Sequence, residues 1–183
     1  MTKRPMTEPS SPVPALRNIR LTVSYDGTDF SGWQRQKSDR SVQEELERAL
    51  AKMHGHEVLT YGAGRTDSGV HAHGQVANFY TDIASIPADR FVPALNGLLP
   101  RDVRILDSRP APFDFHSRFD AASRRYRYFT LVGQGDPWRL RYAHQLFKRP
   151  DIAVLNGMPR LVITVPAIPP LSSPRCALAL AIT

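Results

Sequence analysis

An α+β fold is what this sequence predicts, with a mixed or antiparallel sheet flanked by helices. Three observations lead there. Segments of two-residue hydrophobic alternation and segments of helical period follow one another as β-α-β-β-α-β, then a further β, which resembles the split βαβ order. Residues 41–55, "SVQEELERALAKMHG", carry both helix-start and helix-stop signals. Hydrophobic residues make up 42% of the 183-residue chain, enough for a buried core.

The first strand is read from Ile19, Leu21 and Val23, which alternate with Arg20, Thr22 and Ser24. "YDGT" then turns, because Asp and Gly favour turn geometry. In the helix that follows, Ser41 and Glu44 have capping-box spacing, Val42, Leu46, Ala49, Leu50 and Met53 share one face, and Gly55 is the stop. "EVLTYGAG" and "QVANFYT" give the second and third strands. "PADRFVPALNGLLP" is a short helix opened by Pro87 or Asp89 and closed near Asn96–Gly97, and "DVRILDSRPAP" is the fourth strand. After Ser123, Arg125 and Arg127 alternate with Tyr126 and Tyr128, predicting a last strand that is basic on one face and aromatic on the other.

A net charge of +7 and a pI near 10.0 suit a polyanionic partner, nucleic acid being the commonest, although a merely basic soluble protein has the same numbers. The single cysteine, Cys176, excludes an intramolecular disulfide and a Cys-based zinc cluster. No apolar run approaches the ~20 residues that span a bilayer, and the leader has no apolar core of a secretory signal. A cytoplasmic protein is the expectation. Residues 1–17, rich in Pro, Ser and charge, read as a disordered leader.

Within "YGAGRTDSGVHAHGQVANFY", glycines 62, 64 and 69 give the backbone access to tight or left-handed turns. Arg65 and Asp67, two apart, point the same way in an extended stretch, so the guanidinium holds the carboxylate ionised and aimed. Such a carboxylate serves as a nucleophile or general base, or else forms a structural ion pair that pins the turn. Asp67, His71 and His73 suggest a metal, but clear third and fourth ligands are lacking, and His71 is expected to bond the loop backbone instead. "SRRYRYF" suits RNA, with Arg125 and Arg127 on phosphates and Tyr126 stacking on a base; buried tyrosines behind solvated arginines would look the same in sequence. Phe30 and Trp33 fit either a core or a recognition edge. "GTDFSG" lacks the lysine and spacing of a phosphate-binding loop.

Taken in order, "YDGTDFSGWQRQ", "SVQEELERAL", "GAGRTDSGVHAHGQVANF", "ALNGLLPRDVRI" and "FHSRFDAASRRYRYF" resemble the tRNA pseudouridine synthase A family from about Leu21 to about Lys148. The resemblance implies a pseudouridine synthase fold, a homodimer without metal or organic cofactor, and a substrate uridine at positions 38 to 40 of the tRNA anticodon arm. It implies that Asp67 is the catalytic aspartate, Arg65 the basic residue paired with it, and Tyr126 the ring packed on the target base. The rival function is a non-catalytic tRNA-binding or chaperone remnant, and a metal-dependent hydrolase is a weaker third.

Residues 18–150 are thus expected to form the synthase domain with the start of a second subdomain. Residues 151–183 depart from the pattern: they contain no aromatic residue and no lysine, Asp151 is their only acid, and proline recurs at 159, 166, 169, 170 and 174. Family members continue well past this length with further strands. The expectation is an incomplete second subdomain, an out-of-frame tail from about Met158, and sheet edges and apolar faces left unpaired.

Overall fold

The computed structural model of the protein describes residues 15–156 and 179–182. Three long antiparallel strands organise it: β1 (Arg17–Tyr25) lies between β3 (Ala72–Thr81) and β4 (Val103–Ala111). The register sets Ile19 opposite Phe79 and Leu21 opposite Ala77, so the odd-numbered apolar residues of both strands share one face. Helix α1 (Val42–His54) covers that face with Val42, Leu46 and Leu50, all fully buried. The short helix α2 (Phe91–Asn96) adds Phe91 and Leu95, and the Phe91 ring meets Phe79 edge-on at 5.3 Å.

The ends of α1 follow from its sequence. The Ser41 hydroxyl accepts from the Glu44 amide at 3.3 Å, and Gly55 closes the helix in the left-handed region at φ 75°. Two glutamates on α1 are also buried. Glu45 is paired with Arg40 and Arg48, and Glu47 accepts from the Thr60 amide (3.0 Å) and from the Gln43 amide group (3.1 Å). This second anchor fixes β2 (Thr60–Gly62), which pairs with β3, beside the helix. The predicted strand over 57–64 is shorter than expected, because residues 57–59 have no neighbour in the sheet. β3 is longer than expected, reaching Ala72, because Tyr25 of β1 pairs with it there. The helix expected over 87–100 is a 3-10 turn at Ala88–Arg90 followed by α2.

The opposite face of the sheet carries the segment between β4 and β5 (Arg124–Arg127). Buried Asn18 donates to the carbonyls of Pro112 (2.9 Å) and Phe115 (2.7 Å), and buried Asn78 accepts from the Ser117 amide (2.9 Å). β6 (Thr130–Val132) and β7 (His144–Leu146) form a separate parallel pair around the one-turn helix α3 (Pro137–Leu140), and α4 spans Ile152–Asn156. The backbone of β8 (Ala179–Ile182) lies between β3 and β5, giving the order β4-β1-β3-β8-β5. No strand was expected at 179–182. The pairing uses main-chain groups, four of whose positions face β5, and depends little on side-chain pattern. β4 and β5 are the outer edges of this sheet. The leader up to residue 14 and the tail over 157–178 lie outside the described residues.

Candidate active site

The loop between β2 and β3 is pinned from within by Thr66. Its hydroxyl lies 2.8 Å from the Tyr25 hydroxyl, which donates in turn to Gln75 Oε1 at 3.1 Å. The Gln75 amide group donates to the Gly64 carbonyl at 2.8 Å, closing a buried polar ring around the loop. Burial, opposed by the Thr66 hydrogen bond, pushes the Tyr25 phenol upward, so it stays neutral; the nearby Tyr126 contributes to the same shift. The Thr66 carbonyl accepts from the Trp33 amide (3.0 Å), and Phe30 accepts at its carbonyl from the Gly69 amide (3.2 Å). With Thr66 held inward, its neighbours Arg65 and Asp67 are exposed.

Close backbone approach explains the glycines. A Cβ on Gly27 would overlap the Val70 carbonyl, one on Gly32 (φ 94°) the Thr66 carbonyl, and one on Gly62 the Trp33 indole. Of the three loop glycines singled out in the sequence, Gly69 has a left-handed φ of 77° and Gly62 yields space to Trp33. Phe30 and Trp33 are core residues, each 2% exposed.

One expectation is corrected here. Arg65 and Asp67 form no ion pair, and neither side chain enters a salt bridge or hydrogen bond among the described residues. Sequence spacing places both beside Thr66, yet their own heads are free in solvent, where exposed pairs gain little from being held together. The Asp67 main chain is held instead: the Val70 amide donates to the Asp67 carbonyl (3.2 Å), closing the turn from Asp67 to Val70.

His71 bonds the loop backbone, as expected. Its Nδ1 lies 3.1 Å from the Gly27 amide and 3.0 Å from Asp26 Oδ1. One nitrogen cannot accept from the first and donate to the second at once. Burial holds the imidazole below its usual range against the pull of Asp26, so the neutral ring accepts from Gly27 and the protonated ring, formed as pH falls, turns Nδ1 into a donor to Asp26. Among the described residues, no three His, Cys, Asp or Glu side chains converge as metal ligands. Asp26 is a hub that sequence reasoning missed. It accepts from Thr28 Oγ1 (2.6 Å), Tyr142 (2.9 Å) and Arg141 (3.1 Å). Burial works against its charge, but Thr28, Tyr142 and His71 outweigh it and hold the carboxyl well below the ordinary range.

Beside the loop opens a cleft of about 480 Å³ whose lining, among the described residues, contains no carboxylate. Arg65 and Tyr126 both line it, with Arg118, Arg124, His116 and Phe119. Asp67 is not part of that lining and stands two residues from Arg65 in the chain. Tyr126 is 51% exposed and Tyr128 60%, so β5 does not bury its rings behind its arginines. Arg125 and Arg127 are exposed on β5. Arg124 is instead committed to structure, donating to the Ala63 carbonyl (3.0 Å) and the Arg118 carbonyl (3.1 Å).

This architecture joins a rigid acidic loop to a cationic, aromatic cleft on an α+β sheet, and known proteins share it in sequence. Residues 21–120 match the family described as tRNA pseudouridine synthase. Among curated relatives, the tRNA pseudouridine synthase A of Treponema denticola is 47% identical over 154 residues, covering 78% of this chain and 55% of that protein. That of Acetivibrio thermocellus is 47% identical over 127 residues (69% and 52%), and that of a Synechococcus strain 47% over 150 residues (76% and 51%). The chain belongs to the tRNA pseudouridine synthase family. It spans about half the length of the curated relatives it matches.

Proposed function

We propose that this chain carries the catalytic-loop portion of a cytoplasmic, homodimeric tRNA pseudouridine synthase acting on uridines 38 to 40 of the anticodon arm. The observation that carries the proposal is the Asp67 carboxylate: exposed and free of side-chain partners, on a loop whose backbone a buried polar ring holds beside a cationic cleft. The names of the relatives support the tRNA substrate and the isomerisation.

The reaction breaks the bond between uracil N1 and ribose C1′, turns the base, and joins C5 to C1′. N1 gains a proton and C5 loses one, so no cofactor or energy source enters the balance. The nucleotide must first leave its stack, at a cost of a few kcal/mol, which phosphate contacts to Arg125 and Arg127 offset in part. Asp67 then acts as the nucleophile, at C1′ or at uracil C6. Arg65, free of Asp67 in the chain alone, orients it once the flipped nucleotide excludes water from between them and strengthens their attraction. Tyr126, which lines the same cleft, packs on the uracil.

Replacing Asp67 with Asn tests this. Tritium release from C5-labelled uridine in tRNA should fall by at least about a thousandfold while tRNA affinity stays within about twofold. Turnover like that of the unaltered protein would exclude Asp67 as nucleophile. Absence of turnover in both, with salt-sensitive tRNA binding retained, would favour the non-catalytic binding remnant.

A further inference from the structure

The turn that carries Phe119 is built with unusual thoroughness for a segment outside regular secondary structure. Its carbonyls and amides are held by buried Asn18 and Asn78 from the sheet. Ser117 donates to the Tyr61 carbonyl at 2.5 Å, the Asp120 carboxylate accepts from the His116 amide at 2.7 Å, and the Phe119 amide donates to the His116 carbonyl at 3.0 Å. Yet the product of this bonding is an apolar ring 77% exposed to water. That ring lines the cleft, where a ligand entering the cleft would cover it.

The chemistry around the ring identifies the cover. Phe119 begins a ladder of rings, with His116 at 4.4 Å and Tyr61 beyond it at 4.9 Å, that runs into the cleft. Arg118 stands over the outer ring at 6.0 Å, Arg65 and Arg124 line the same cleft, and no carboxylate does among the described residues. An apolar protein segment would leave the Arg65 and Arg118 guanidinium groups without an anion, Arg124 being already bonded to main-chain carbonyls. A nucleobase with its phosphate matches both features: the π-face for the ring and the anion for the cations.

The geometry points to Phe119 as a stacking platform for an unpaired RNA base adjacent to the nucleotide that enters the cleft, with His116 backing the ring and Arg118 taking that nucleotide's phosphate. This inference rests on the reading that the cleft receives a flipped uridine, but it concerns binding and is separable from catalysis. Extrusion of one base leaves its neighbour without a stacking partner, and Phe119 supplies one.

The test is a two-by-two binding cycle using the full chain and an unmodified anticodon stem-loop RNA. One axis is Phe119→Ala; the other is replacement of a loop nucleotide flanking the target uridine, on each side in turn, by an abasic one. Phe119→Ala is expected to weaken binding about tenfold, and an abasic residue on one side to weaken it by a similar factor in the unaltered protein but not further in the variant. Phe119→Trp should bind at least as tightly as the unaltered chain, and thermal melts of both variants should match it, since the ring is exposed. Affinity of Phe119→Ala within about twofold of the unaltered chain, additive losses on both sides, or no binding of the stem-loop at all would each overturn the platform. Tritium release is read in parallel. Coupling without release leaves the platform standing and removes the enzymatic reading. Release without coupling does the reverse.

Discussion

Residues 17–111 and residues 124–156 are held together by different forces. In the first region, strands and helices interdigitate around fully buried Ile19, Leu21, Leu46, Phe79 and Phe91. In the second, Leu131 is the single buried residue among those described, while Trp138 and Phe147 are 82% and 83% exposed. What ties the second region to the first is polar: Arg141 and Tyr142 reach back to Asp26, and Arg124 to the Ala63 carbonyl. The lesson is that the proposed nucleophile stands on the part with its own core. The base-packing ring, Tyr126, stands on the part without one.

The largest effect should come from the core itself. Phe79→Ala removes a ring packed on Phe91 and is expected to cost about 3–5 kcal/mol, read as a fall in the denaturation midpoint. If it costs no more than a change at Trp138, the contrast between the regions is wrong. Next is Gly32→Ala, which forces a left-handed residue against the Thr66 carbonyl. A loss of about 2–3 kcal/mol is expected, together with impaired tritium release, because the Asp67 loop must move.

Asp26→Asn sharpens the comparison by cutting the polar tie alone. It should cost about 1–2 kcal/mol and speed proteolytic cleavage near residues 137–146 while the core strands keep their hydrogen-exchange protection. The pH dependence has the same origin. Asp26 is held below the ordinary carboxylate range, so its contribution is complete above that range and is lost as pH falls through the lower folded value. His71, held below the ordinary histidine range, loses its smaller contribution earlier, as pH falls through and below about 6.5. Acid titration followed at Tyr142 should therefore show release only in strong acid, and the Asn variant should lack that step. Smallest of all, Trp138→Ala should change stability by less than about 0.5 kcal/mol.

Much of this was readable from residue order. Alternation at Ile19, Leu21 and Val23 and the Ser41 and Gly55 signals depend on neighbours a few positions away, and those elements form where expected. The exposed Asp67 was legible because glycines and a turn surround it in sequence. The polar ring of Tyr25, Thr66, Gln75 and Gly64 was not, since its members are separated by up to 50 positions and only folding joins them. The same holds for buried Glu45 and Glu47: their place on the apolar side of α1 is set by Arg40, Arg48 and Thr60, which no helical period reveals. The Arg65–Asp67 pairing failed for the opposite reason. Proximity in sequence suggested contact, but the inward anchoring of Thr66 leaves both heads to water.

The abutting turns at Gly27 and Val70 carry a consequence for how such a protein can change. The obstruction at that spot is main chain, not a side chain that a compensating mutation could trim. A bulkier residue at position 27 is relieved only by rerouting the backbone that leads to Asp67. The two turns are therefore inherited as one piece, and neither can lengthen or drift without the other.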